Sequence, residues 1–374
     1  MLAPYSHRIA ALQQTLVPSQ VAILSKPADI QYFSGFQTLV PQEREAFLAL
    51  TVQDAALFHA SFSPVTHWDC LQYQATTSIA AILEKIVAWK DLERLQPDAA
   101  TGRINLLLDY TSLFVSEFTA FKQKPELLCN PLNLEKIWNL RMIKDATEQE
   151  ALKQAALLST QTLAHIWPLL QPGKTEQELA WEIEKFIKQT GGELAFPTIV
   201  AFGAHAALPH HQPTGEQLAS ESVVLLDFGA KVAGYCSDMT RTIWVGKQPS
   251  PIFCSVEQAV KTAYSAGLAV CEEFASSCTP EFQQGTATPL RAVDIAARSS
   301  LEKAGYGKQF IHTTGHGLGL EIHEQPSIYK TTPRLMQLGM AFTIEPGVYL
   351  PGQFGYRYEN TILLLQEKVV ELTR

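Results

Sequence analysis

Short apolar runs alternate with helical spacings over residues 1–135. "VAILS" (21–25), "EAFLALTV" (45–52), "AALFHA" (55–60) and "INLLLDY" (104–110) read as strands, and apolar positions around 67–90 fall at helical spacing, an α/β pattern. Beyond "NPLNLEKIWNLRMIKDATEQE" the pattern changes. Thr147 and Glu150 are spaced as a capping box, and Leu152, Ala155, Ala156, Leu163, Ile166 and Trp167 continue helically until Pro172-Gly173. Thr175 and Glu178 form a second box, opening a helix that Gly191-Gly192 closes. Strand-like "FPTIVAFG" (196–203) follows, then helices around 255–276 and 289–304, and a strand-like, glycine-broken stretch from 310 to 365. Two domains are predicted, 1–135 and 136–374, the second an α+β arrangement.

Composition narrows the class. Apolar residues make up 46% and charged residues 18% of 374, an ordinary globular balance. A formal net charge of −8 without a dense Lys/Arg stretch argues against a nucleic-acid partner. No apolar run approaches the roughly 18–20 residues of a membrane span, so no membrane partner is expected. "MLAPYSHRIAALQQTLVPSQ" lacks the apolar stretch of a signal peptide. Six scattered cysteines without a CxxC pair read as reduced thiols, and a cytoplasmic location is expected.

The chemistry gathers in the second domain. In "VVLLDFGAKVAGYCSDMTRT" (223–242), Asp227 lies in an apolar strand, and a reversal at Val232-Ala233 would set it directly opposite Asp238. Opposed side chains lie about 4.5–5.5 Å apart at Cβ, where like charges repel. Glu345 of "FTIEPGVY" and Glu359 of "GYRYENT" are symmetric about Gly352 and would be opposed in the same way. Between the hairpins, "IHTTGHGLGLEIHE" holds His312, His316 and His323, with glycines that disfavour a helix and suit close backbone approach. Singly, an Asp in a strand or a Glu before Pro is ordinary, paired with an arginine or a backbone donor. Four facing acids and an imidazole are too much charge for a metal-free interior and suit two divalent cations. The oxygen-rich set favours manganese, cobalt or iron, leaves zinc open and disfavours magnesium. Two such ions supply a bridging hydroxide and polarise a carbonyl, which is machinery for hydrolysis.

"ALPH", "LLDFGAKVAGYCSDMTRT", "HTTGHGLGLEIHE", "TIEPGVY" and "YRYENT" together resemble the proline-specific metallopeptidases, prolidase (Xaa-Pro dipeptidase) and aminopeptidase P. "KPADIQYFSGF" is similar to the creatinase-like N-terminal domain of that family. The resemblance implies an α/β creatinase-like domain followed by a pita-bread catalytic domain. It implies two divalent ions, manganese first, on Asp227, Asp238, His316, Glu345 and Glu359, with Asp238 and Glu359 bridging. It further implies that His210, chosen over His211, with His312 and His323 handles the substrate carbonyl or carboxylate and the leaving proline nitrogen. Arg357 would orient the site, and Glu345 would double as proton acceptor. The implied substrate is a small proline-containing peptide, and the implied assembly is a homodimer.

Three departures bear on the pocket. "FGAHAALPH" stands where a Ser-Gly-Pro-Asn type stretch is usual, Asn360 follows Glu359 where an aspartate is usual, and His211 follows the ALPH histidine. No ligand position is lost, so the expected function is Xaa-Pro dipeptide hydrolysis. The alternatives are aminopeptidase P activity and a non-catalytic binding protein on the same fold.

Overall fold

A computed structural model describes residues 5–40, 43–76, 80–89, 94–279 and 285–374. It divides into two compact units, Met1–Arg141 and Met142–Arg374.

The first unit is a mixed six-stranded sheet in the order β4-β3-β2-β1-β5-β6. Its strands are β1 (Gln20–Leu24), β2 (Ala46–Leu50), β3 (Ala55–Ala60), β4 (Gln72–Thr76), β5 (Ile104–Leu108) and β6 (Leu127–Pro131). Every residue of β2 and β3 is buried, as continuous apolar runs require of strands covered on both faces. Phe47, Phe58 and Phe121 fill the core beside Ile82, Ile86 and Trp89. The helical spacing around 67–90 holds for Ala80–Val87. Gln72–Thr76 is instead an edge strand, because parallel pairing of Ala56–Ala60 with it overrides the local spacing.

The second unit is α+β. Its first helix, Ala146–Ile166, is capped two residues earlier than the sequence spacing suggests: the Asp145 carboxylate accepts from the backbone N–H groups of Thr147 and Glu148, and Glu148 accepts from that of Asp145. A carboxylate at the helix N-terminus also complements the helix dipole, which favours Asp145 over Thr147 as the cap. The Thr175–Glu178 box opens the helix Glu176–Gln189. Strands β7 (Glu193–Leu194), β10 (Ala230–Val232) and β11 (Tyr235–Cys236) form a small sheet in the order β11-β10-β7, and β8 (Ile199–Phe202), β9 (Ser222–Phe228) and β12 (Met239–Val245) form one antiparallel sheet, with β9 central. A second sheet runs β14-β13-β15-β18-β19, with β13 (Gly315–Gly317), β14 (Glu324–Ile328), β15 (Ala341–Ile344), β18 (Asn360–Leu365) and β19 (Lys368–Glu371). The hairpin β16 (Gly347–Leu350) and β17 (Phe354–Arg357) completes the frame around the polar residues. Helices Pro251–Ser277 and Arg291–Lys303 pack behind the strands through Val260, Ala263, Ala297 and Leu301.

The two hairpins differ in how they meet expectation. In the first, Asp227 pairs with Thr240 rather than Asp238. The chain reverses between Val232 and Tyr235, with Ala233 at φ 50° and Gly234 at φ 86°, so the turn centre lies one residue later than expected. Positive φ at both central residues is what a two-residue turn needs to match strand twist. Moving the centre by one residue moves each pairing by two, which is the side-chain period of a strand, so both aspartates stay on one face as diagonal neighbours. In the second, Gly347 pairs with Arg357 and Ile344 with Asn360. That register is symmetric about Gly352 and brings Glu345 level with Glu359, as the spacing predicts.

Candidate metal centre and substrate cavity

Asp227, Asp238, His316, Glu345, Glu359, His210, His312, His323 and Arg357 all line one cavity of about 920 Å³, together with the apolar side chains of Phe196, Ile199, Leu208, Ile311 and Ile322. His211 lines it as well.

The backbone explains why these side chains meet. His316 sits in a three-residue strand wedged between β14 and β15. A Cβ on Gly315 would lie 1.9 Å from the Thr343 carbonyl oxygen, and one on Gly317 would lie 2.3 Å from that of Gln325. Only glycine lets the strands close around the histidine. The imidazole Nδ1 meets the Gly317 carbonyl at 3.2 Å and therefore carries the proton, which leaves the Nε2 lone pair facing Asp238 Oδ2 at 3.5 Å and Glu345 Oε1 at 3.4 Å. Burial depresses its pKa to about 4, so it is neutral at physiological pH.

The carboxylates are crowded and dry. Burial pushes Asp238 well above the usual carboxylate range, and Glu359, Asp227 and Glu345 add to the rise. Glu359 is raised likewise, by burial first and then by Glu345 and Asp227. It still accepts from Thr240 Oγ1 at 2.6 Å, and Glu345 accepts from Thr343 Oγ1 at 3.1 Å. Asp227 Oδ2 accepts from Arg357 Nη2 in a buried ion pair. Asp227 Oδ1 and Asp238 Oδ1 are buried and accept no hydrogen bond. Ligand atoms of Asp238, His316 and Glu359 lie within 4.8 Å of one another. Oxygen-rich donors, two orphaned carboxylate oxygens and a pre-oriented neutral imidazole fit divalent cations well.

The sequence reading missed one participant. Tyr349 OH lies 2.8 Å from Arg357 Nη1 and 2.9 Å from His312 Nε2. His312 Nδ1 meets the Thr313 carbonyl at 2.7 Å, so its Nε2 is an acceptor. Tyr349 therefore accepts from the arginine and donates to the histidine. Burial pushes its phenol up to about 12, which keeps the proton in place. Burial also lowers His312 and His323, and His323 packs edge-on against His316 with ring centres 4.3 Å apart. Tyr349 stands in the quoted "FTIEPGVY", but nothing in its spacing marks it.

A buried carboxylate and imidazole cluster opening on such a cavity fits a metal-dependent hydrolase, and comparison with known proteins gives the family. The description "Metallopeptidase family M24" matches residues 150–366. An uncharacterized peptidase of Staphylococcus aureus (strain bovine RF122) is 33% identical over 369 residues, covering 95% of each chain. Among solved structures, the Xaa-Pro dipeptidase from Bacillus anthracis superposes with a TM-score of 0.82 at 27% identity, over 98% of this chain and 97% of that one. A recombinant prolidase from Thermococcus sibiricus gives 0.81 at 32% identity, over 100% and 98%. The X-Pro aminopeptidase from Thermotoga maritima gives 0.77 at 25% identity, over 97% of each. The chain belongs to metallopeptidase family M24, with an α/β sheet domain followed by a pita-bread catalytic domain. It is accordingly a hydrolase of peptides, and its family implies divalent metal ions.

Proposed function

We propose that the protein is an Xaa-Pro dipeptidase that uses two divalent ions, manganese first, held by Asp227, Asp238, His316, Glu345 and Glu359. The observation that carries this reading is the convergence of all nine motif residues on one cavity, with the two aspartate oxygens left unpaired. When bound, the ions would supply an activated water and polarise the scissile carbonyl.

The chain's own residues do the rest. His316 offers Nε2 because its Nδ1–H is committed to the Gly317 carbonyl. Arg357 holds Asp227 by one oxygen and leaves the other without a hydrogen bond, so that it could serve a cation. Glu345 stands where it can accept a proton from water and return it to the leaving proline nitrogen. Neutral His312, fixed by Tyr349, and His323 and His210 around the cavity are placed to hold the substrate's carbonyl and carboxylate oxygens. Leu208, Ile311 and Ile322 give apolar surface for the proline ring.

The dipeptidase reading draws support from neighbours named as Xaa-Pro dipeptidase and prolidase at 27% and 32% identity. The X-Pro aminopeptidase neighbour, at 25% identity, keeps the longer-substrate reading as the alternative. Hydrolysis of an Xaa-Pro dipeptide and an Xaa-Pro-Xaa tripeptide after Mn(II) reconstitution, with chelated enzyme as blank, separates the two. Cleavage of the dipeptide alone supports the proposal, preference for the tripeptide makes the protein an aminopeptidase P, and cleavage of neither refutes both.

A further inference from the structure

Glu176, the first residue of its helix, is fully buried yet lines no part of the cavity. Its carboxylate takes five hydrogen bonds. Oε1 accepts from Phe202 N at 2.8 Å and His205 Nδ1 at 2.9 Å. Oε2 accepts from His211 Nε2 at 2.9 Å, Thr214 N at 2.9 Å and Thr214 Oγ1 at 2.7 Å. Burial works to raise this carboxyl, and the donors, His211 foremost, outweigh it and hold it below the usual range.

All five donors come from residues 202–214. That segment also carries Leu208, Pro209, His210, His211 and Gln212 of the cavity wall. Two of the three sequence departures from the family pattern fall in this segment, the "FGAHAALPH" stretch that contains His205 and the residue His211, and they supply the two imidazoles on Glu176. Midway along, the Ala206 carbonyl presses on Gly355, where a Cβ would lie 1.9 Å from its oxygen. The segment is thus pinned at both ends by one carboxylate and in the middle by a strand.

Ligand atoms of Glu176, His205 and His211 lie within 4.8 Å of one another, the spacing a cation site also needs. The arrangement favours hydrogen bonds. Each imidazole addresses its own oxygen, and the rings stack at 4.4 Å with planes 30° apart, so the donor nitrogens run side by side rather than towards a common centre.

We propose that Glu176 is a positioning residue: through His205 and His211 it clamps segment 202–214 and so sets the wall that presents Leu208 and His210 to the substrate. The inference rests on the reading of the cavity as the Xaa-Pro site.

The test uses the full, metal-loaded chain. Glu176→Gln turns one acceptor into a donor facing N–H groups. A fully buried variant can fail to fold, so a second pair is placed at His205, whose side chain is 35% exposed. His205→Leu removes the donor, and His205→Asn restores one near the position of Nδ1. Loss of a hydrogen bond to a charged group predicts a fall of about tenfold in kcat/KM for His205→Leu, most of it in KM. Amide hydrogen exchange across 202–214 is expected to speed up in the same variant, and His205→Asn to recover both readings. Equal behaviour of the Leu and Asn variants overturns the clamp. So does loss of one metal equivalent per chain in His205→Leu, which would make the cluster a cation site. If the wild type cleaves no Xaa-Pro bond, the functional reading fails on its own, and the exchange comparison still decides the clamp.

Discussion

Asp227 and Asp238 are both buried acids of the proposed cation site, yet asparagine at each is expected to move the metal-free protein in opposite directions. Asp227 neutralises Arg357 across a buried contact. Breaking such a pair from one side costs about 3 kcal/mol at the lower end. At about 2–4 °C per kcal/mol for a unit of 150–250 residues, Asp227→Asn should lower the apo Tm by roughly 6–12 °C. Asp238 instead suffers from its surroundings, burial first and then Glu359, Asp227 and Glu345. Its folded pKa lies above the unfolded value of about 3.9, so its contribution is fully present below that value and is lost as pH rises through the raised one. At pH 8 the apo wild type bears that loss, and Asp238→Asn does not. The variant should therefore match or exceed wild-type apo stability at pH 8, its advantage shrinking as pH falls towards 5. Mn(II) at a hundredfold excess over its Kd adds about 2.7 kcal/mol per site to the wild type, roughly 5–11 °C, and this rise should largely vanish in Asp238→Asn. Thermal melts of chelated and Mn(II)-loaded protein from pH 5 to 8 read all of this. An apo Asp238→Asn protein several degrees less stable than wild type at every pH would refute the like-charge account. An undiminished metal response would refute Asp238 as a ligand.

Other outcomes are as definite. Tyr349→Phe strips Arg357 Nη1 and His312 Nε2 of a shared partner, so about 1–3 kcal/mol of stability and about tenfold in kcat/KM should be lost. Melts and steady-state kinetics that both match wild type would dismiss the relay. Gly315→Ala forces a Cβ against the Thr343 carbonyl, and metal analysis should find the purified variant depleted in cation. Native alkylation followed by peptide mass spectrometry should modify exposed Cys254 first. Cys236, buried with its thiol pushed up to about 12, should react only after unfolding, and its early labelling would contradict the packing.

The strands were legible wherever apolar runs were continuous, because β1, β2 and β3 are covered on both faces and tolerate little else. The edge strand Gln72–Thr76 was not, since its pattern is set by a neighbour distant in sequence. The second hairpin could be placed because Gly352, at φ 75°, marks its own turn. The first hid its centre, as Ala233 adopts a left-handed φ that no sequence rule assigns to alanine. The ligand candidates stood out because acids are rare in apolar strands. Tyr349 and Glu176 did not: a tyrosine in a strand and a glutamate in a first helical turn are ordinary, and only tertiary contact gives them partners.

One physical cause prepares both kinds of proposed ligand, and it acts on them in opposite senses. Desolvation pushes Asp238 and Glu359 up and His316 down, so each leans towards its neutral form in the metal-free state. For the imidazole, neutral is the ligating form, and the Gly317 carbonyl has already chosen the nitrogen. For the carboxylates, neutral is the wrong form, and only a cation can replace the protons that like-charge crowding invites. In the proposed site burial therefore favours metal over an empty, ionised cluster: without an ion Asp238 and Glu359 hold protons, and binding of a divalent ion would release them. On the proposed reading the cost of folding four acids into one cavity is recovered only in the loaded protein, which would assign the orphaned oxygens of Asp227 and Asp238 to the chemistry rather than to the packing.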